Sequence, residues 1–211
     1  MTNILQPLKG MKDITPSKQK IFNKIINIAK EIGCAHNYDE ISTPILESVS
    51  IFDRSLGQSS DVISKEMYDF HDKGNRHITL RPEFTASVMR AFINGKYSNS
   101  DLPKKFFSYG PLFRYDRPQS GRYRQFHQIN FENIGLSLPE IDVETIEMAS
   151  IILSQLKIKS KITLQINSLG CQESIQNYSI SLKRYFEKYQ QELSNDSKQR
   201  LLLNPLRILD S

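Results

Sequence analysis

The sequence predicts an α+β domain, an antiparallel sheet flanked by helices, and three observations carry the prediction. From Lys104 to Asn133 an apolar-aromatic run through Phe113 breaks into RYDRPQSGRYR, and alternation resumes from Phe126 to Phe131. That is the pattern of two strands joined by a long loop. A shorter pair of runs flanks DKGN, where Gly74 and Asn75 supply turn chemistry for a second hairpin. Two stretches, beginning at Pro16 and at Pro139, instead repeat apolar residues at helical spacing.

Composition bounds the rest. A chain of 211 residues supports one domain with a sizeable core and room for a small appendage. Hydrophobic residues make up 38% and charged residues 24%, polar for a globular protein but not a disordered composition. The net charge is +5, and the window from Lys104 to Phe126 holds six Lys or Arg against the single acid Asp116. The whole basic excess therefore lies in one patch. The sequence pI near 9.1 suits a partner that carries phosphates. No apolar run approaches a membrane span and Met1 to Gly10 lacks a signal-peptide core, so a soluble, cytoplasmic protein with no membrane partner is expected. Cys34 and Cys171 match no metal or redox spacing and read as buried or inert thiols; the sequons at Asn177 and Asn195 have no meaning without a secretory route. His36, His71, His77 and His127 show no paired ligand spacing, so no metal site is expected. With neither a phosphate loop nor a dinucleotide fingerprint, a bound nucleotide must be held by side chains on strands and loops.

In chain order, Leu8 to Thr15 leads into a helix starting at Pro16, with Ser17 as N-cap. Ile21, Phe22, Ile25, Ile26, Ala29 and Ile32 share its inner face and Gly33 ends it. YDEISTPILES follows as a strand whose Pro44 belongs at an edge or a break. A short helix is expected over 51–57, the hairpin strands over 66–72 and 76–81, and a helix from Ala86 to near Gly95. After the central hairpin, Pro139 to Leu156 predicts a helix with Ile141, Ile146, Ala149, Ile152, Leu153 and Leu156 inward. KITLQINSL, 161–169, alternates as another strand, and 172–203 reads as helical, broken near Ser194 to Asp196.

Three groups of residues could carry chemistry. Arginines flanking a turn aim planar forks at one place, which suits phosphate. Glu83 and Thr85 lie on one side if the chain stays extended after Pro82, where both could take an ammonium group. A helix start, with Thr85 capping and Glu83 beside the positive helix end, explains them equally well. Gln128, Asn130 and Glu132 alternate on one face of the return strand.

FRYDRPQSGRYRQFHQ resembles motif 2 of the class II aminoacyl-tRNA synthetases in the form of the histidyl-tRNA synthetases, and the likeness runs from about Leu8 to the last residue. The resemblance implies a class II synthetase-type antiparallel sheet, with motif 1 at about 17–50 forming a homodimer interface and motif 2 at about 104–135. It implies activation of L-histidine by ATP with Mg2+ and transfer to histidine tRNA. By the same resemblance Glu83 and Thr85 hold the α-amino group of histidine, in RPEFTA, and Arg114 grips the α-phosphate and the carboxylate as the catalytic residue. Arg122 clamps the γ-phosphate, Phe126 stacks on adenine, Gln128 contacts histidine and Glu132 accepts a hydrogen bond from its imidazole. A buried carboxylate there would reject aliphatic amino acids, which would leave it unpaired. Arg117 and Gln119 fall where the motif 2 loop meets the tRNA acceptor end, and Asp116 replaces the usual Glu. The downstream signature LVRGLDYY, motif 3 and the anticodon-binding domain have no counterpart, so the chain corresponds to the N-terminal half of the catalytic domain. The alternatives are a histidine-binding regulatory paralogue, of the ATP phosphoribosyltransferase regulatory subunit type, and an inactive fragment.

Overall fold

The computed structural model describes residues 5–56, 66–168 and 170–210. They form two compact units, meeting in sequence between Ile162 and Thr163. In the first unit the order is α1 (Pro16–Ala35), β1 (Asp39–Glu40), β2 (Leu46–Ser48), α2 (Val49–Leu56), β3 (Tyr68–His71), β4 (His77–Leu80), α3 (Thr85–Asn94), β5 (Lys104–Phe113), β6 (Gln125–Ile134) and α4 (Pro139–Gln155). The second holds α5 (Gln172–Glu187) and α6 (Asn195–Leu203).

The α+β class is as expected, but the sheet is divided. β1-β5-β6 forms one three-stranded sheet, with β1 parallel to β5, and β2-β4-β3 forms an antiparallel one. Pro44 causes the division. It falls between β1 and β2, which join different sheets, so the single strand expected over 38–48 is two. β5 and β6 pair antiparallel over ten residues each, from Lys104 opposite Ile134 to Phe113 opposite Gln125.

That long hairpin sorts its side chains by parity. On one face Phe107, Ile129 and Phe131 join Ala29, Ile32, Tyr38 and Met148 in a core supplied by α1 and α4. On the other, Phe106, Leu112 and Phe126 pack against Phe84 and Val88 of the α3 region. Opposite-strand pairing puts Ser108 beside Asn130, Gly110 beside Gln128 and Phe106 beside Glu132, all on this second face.

Several local expectations shift for identifiable reasons. The extended cap of α1 is Thr15, not Ser17, because Pro16 takes the first helical position where its missing N–H costs nothing. α1 runs past Gly33 to Ala35; Gly33 is buried, and a Cβ there would stand 3.0 Å from the Phe131 ring, so it is a packing glycine rather than a stop. Ile21, expected inward, is exposed. In α4 the buried residue is Met148 while Ala149 is exposed, a phase error of one position. Residues 162–168 form no strand: Ile162, Leu164 and Ile166 alternate as expected but are exposed. Alternation prepares a face, and a strand also needs a neighbour to bond. Leu169, and Gly57 of the short helix, lie outside the described residues. In the second unit α5 ends at Glu187, before the expected break, and Ser194 caps α6 by accepting from the Ser197 amide at 3.2 Å. Both cysteines are free and exposed, so of the two expected alternatives, buried or inert, burial does not hold. No helix among the described residues is long and apolar enough to cross a membrane.

Candidate active site

Two segments far apart in sequence meet on the α3 face of the long hairpin. The first is Arg81–Pro82–Glu83–Phe84–Thr85, leading from β4 into α3. Proline at 82 stops the strand, and α3 begins at Thr85 with Phe84 as its N-cap residue. The capping group is Glu83, whose carboxylate accepts from the Ala86 amide at 2.8 Å. The helix-start reading holds for Glu83 and fails for Thr85. Glu83 does sit at the positive end of a helix, but Thr85 turns away from capping and donates to Glu132 Oε1 at 2.5 Å.

The second segment is β6. Glu132 also accepts from Asn130 Nδ2 at 3.1 Å, so one of its oxygens takes two bonds, from the strand and from α3. Glu83 and Glu132 are close enough for each to feel the other. Burial pushes the Glu83 carboxyl above its usual range; the Glu132 charge adds to the rise, while the Ala86 amide and Thr85 oppose it. Among the described residues neither carboxylate forms an ion pair with a Lys or Arg. Two neighbouring carboxylates, one of them desolvated and neither neutralised, form a place for a ligand cation.

Arg114 follows β5 and donates from Nε to the Pro82 carbonyl at 2.9 Å, beside Glu83. Its guanidinium lies 5.4 Å from the centre of the Phe126 ring. It too makes no ion pair among the described residues, so its two terminal nitrogens are free for an anion. Glu83 and Thr85, on the segment entering α3, thus lie against the hairpin face that carries Phe126, Gln128 and Glu132, with Arg114 just beyond the end of β5. Cation-seeking and anion-seeking ends lie side by side, as the charges of an amino acid zwitterion require.

The loop behaves differently. Arg122 is paired with Asp116 at 3.3 Å and is largely exposed, while Arg117 and Gln119 are exposed and touch none of the groups on the hairpin face. Asp116 organises the loop by accepting from the Arg117 amide, with its carbonyl accepting from Arg124 Nε at 3.2 Å. Arg124 stacks on Tyr115 at 3.7 Å and its amide donates to the Gly10 carbonyl at 2.7 Å, which ties the loop to the N-terminal segment. Sequence reading assigned no role to Arg124 or Asn130. Their position in the motif was visible, but the Gly10 partner of Arg124 lies more than a hundred residues away, and the Asn130 bond to Glu132, two residues on along the same strand, carries no local mark of function.

The donor set fits a nucleotide whose phosphates meet arginines and whose base meets an aromatic ring. No group of three His, Cys, Asp or Glu among the described residues could hold a metal ion.

Comparison with known proteins places this geometry in a family. A family model described as Histidyl-tRNA synthetase matches residues 10–195. The chain is 51% identical over 211 residues to a histidine–tRNA ligase of Rickettsia canadensis (strain McKiel), covering 100% of this chain and 51% of that protein. Identity is 54% over 207 residues to that of Orientia tsutsugamushi (strain Boryong), covering 98% and 49%. The chain therefore spans about half the length of the curated relatives it matches. Among solved structures, apo histidyl-tRNA synthetase of S. aureus superposes with a TM-score of 0.72 at 36% identity, over 97% of this chain and 48% of that one. An ATP phosphoribosyltransferase regulatory subunit/histidyl-tRNA synthetase from Bacillus halodurans shares the fold, with a TM-score of 0.62 at 20% identity over 95% and 55%.

Proposed function

The chain belongs to the histidyl-tRNA synthetase family, and from that premise we propose that it is the histidine- and ATP-binding half of a histidine–tRNA ligase catalytic domain. One observation carries the reading: Glu83 and Glu132, from distant segments, are bridged through Thr85 and form no ion pair with a Lys or Arg among the described residues. Glu83 and Thr85 take the α-ammonium group of histidine. Glu132, oriented by Asn130, accepts from the imidazole N–H, and Gln128 bonds the same ligand. An aliphatic amino acid would offer the half-buried Glu132 carboxylate no donor beyond Thr85 and Asn130, which both bond Oε1, and would leave Oε2 without a ligand partner at a cost of about 1–3 kcal/mol.

Arg114, held by the Pro82 carbonyl, lies between the amino acid carboxylate and the α-phosphate of ATP. The reaction joins those two anions: a carboxylate oxygen bonds to the α-phosphorus as the bond to pyrophosphate breaks. No protein nucleophile is needed, and positioning with charge neutralisation does the work. Phe126 stacks on adenine. Arg122 reaches the γ-phosphate by leaving Asp116, an exchange the exposed pair permits because such pairs hold by only about 0–1 kcal/mol. Arg117 and Gln119, exposed at the loop tip, face the acceptor end of histidine tRNA. Exposed Ile45 and Leu46, at the start of the edge strand β2, suit a homodimer contact through motif 1. The setting is the cytoplasm. A regulatory paralogue would need the histidine pocket without the phosphate arginines.

ATP–pyrophosphate exchange, run with histidine and a panel of other amino acids, tests the reading. Exchange with histidine alone is expected. Exchange driven equally by another amino acid would overturn the role of Glu132. Exchange restored only when the downstream half of a relative is added would assign the missing catalytic contribution to that half.

A further inference from the structure

We propose that Arg81 is the positioning residue of this site: its buried side chain fixes the segment carrying Glu83 against the end of β5 that carries Arg114, without touching a ligand. The side chain is 4% exposed and makes no ion pair at salt-bridge distance among the described residues. What it does make is a set of bonds to main chain from two elements. Nη1 donates to the Thr43 carbonyl at 2.7 Å and to Thr43 Oγ1 at 3.3 Å, and Nε donates to the Pro111 carbonyl at 3.2 Å. The guanidinium lies over the Phe84 ring at 4.5 Å.

The backbone of the same residue repeats the bridge. The Arg81 amide donates to the Ile45 carbonyl at 2.9 Å, and its carbonyl accepts from the Phe113 amide at 3.1 Å. Arg81 thus joins the segment before β2, the end of β4 and the last residues of β5, which otherwise belong to two separate sheets. On either side of this clamp sit the groups that matter: Pro82 and Glu83 follow it directly, and Arg114 follows Phe113.

Gly110 is the counterpart on β5. Its φ of +144° lies in the left-handed region, and a Cβ there would stand 2.9 Å from Arg81 Nη2. The strand gives up a side chain opposite Gln128 to admit the guanidinium. The same residue has an electrostatic partner at one remove. Glu47, 7% exposed and bonded to Arg90 of α3 at 2.5 Å, opposes the burial that weakens the Arg81 charge. A buried arginine bonded only to carbonyls and a hydroxyl is an expensive way to stabilise a fold, because an apolar residue could fill the same space. Its geometry is what an apolar residue could not supply. Five donors in a rigid plane hold two strand ends at a set spacing, which a lysine with one flexible point charge would not.

The consequence for histidine binding rests on the proposed function, so the test has a readout that does not. In Arg81→Lys, hydrogen exchange at Arg114 Nε–H, followed by 15N NMR, should speed up at least tenfold, because its acceptor Pro82 is no longer fixed. Exchange of the Tyr38 amide, bonded to the Gly33 carbonyl at 2.8 Å in the core on the opposite face of the hairpin, should not change. Histidine affinity should fall tenfold or more in parallel. Unchanged Arg114 exchange, or an equal acceleration at Tyr38, would overturn the proposal, the latter marking a general stabiliser. If Arg81→Lys does not fold, Thr43→Val removes one acceptor alone and should still accelerate Arg114 exchange over Tyr38; no difference there overturns it as well. Failure of the unaltered chain to bind histidine would refute the histidine reading and leave the exchange result to decide on Arg81.

Discussion

Glu83→Gln is expected to lose histidine affinity by about 100-fold while melting at or above the temperature of the unaltered chain at pH 7. The two effects separate because Glu83 pays for its function in stability. Burial holds its carboxyl above the usual range. The folded chain therefore keeps a proton on Glu83 at pH values where the unfolded chain has released it. For a group raised in this way, the stabilising contribution is complete below the unfolded carboxylate range and is lost as pH rises through the folded value. Above that folded value the ionised, buried carboxylate is thus a cost. Glutamine retains an oxygen to accept from the Ala86 amide and removes the charge. The ligand loses its counter-charge, roughly 2.8 kcal/mol at 100-fold, near the upper end for a hydrogen bond to a charged group. Calorimetric titration and thermal melts, on both chains, measure the two sides. Affinity within threefold of the original would remove Glu83 from the ammonium site.

Phe107→Ala is expected to destabilise the first unit by about 3–5 kcal/mol. Phe107 is 2% exposed at the centre of β5, with Ala29 and Ile32 of α1, Tyr38, and Met148 of α4 around it. Its ring lies 5.1 Å from Phe131 and 5.7 Å from Tyr109, so truncation removes aromatic contacts from both hairpin strands at once. The cavity would open where the two helices meet the sheet, and rigid strand pairing on either side limits collapse. Chemical denaturation should show the loss as a lower midpoint; a change under 1 kcal/mol would mean that this core is not what holds α1 and α4 to the hairpin.

The long hairpin was legible because an apolar-aromatic run and a resumed alternation from Phe126 to Phe131 bracket a Pro- and Gly-containing loop, and pairing over ten residues on each strand then fixes its faces. So was the punctuation around it, since proline at 16, 44 and 82 acts through backbone chemistry alone. The phase of a helix was less legible. α4 offered apolar residues on neighbouring positions, and contact with Phe107, not hydropathy, selected Met148 over Ala149. Residues 162–168 show the limit of pattern, which describes one strand and says nothing about its neighbour. The candidate site was legible only in part. Thr85 and Glu132 are 47 residues apart, and no local signal announces that they bond. Family resemblance supplied the grouping, and strand register supplied the reason. Arg81 escaped because a buried arginine looks, in sequence, like any strand-end arginine before a proline.

If the hairpin face takes histidine by its ammonium and imidazole groups together, as proposed, calorimetric titration of this chain with L-histidine, its deamino analogue and leucine will register both contacts. Histidine should bind, and removal of either the ammonium or the imidazole should weaken binding at least tenfold. Equal binding of leucine or of the deamino analogue would contradict the assignment of Glu132 or of Glu83, respectively.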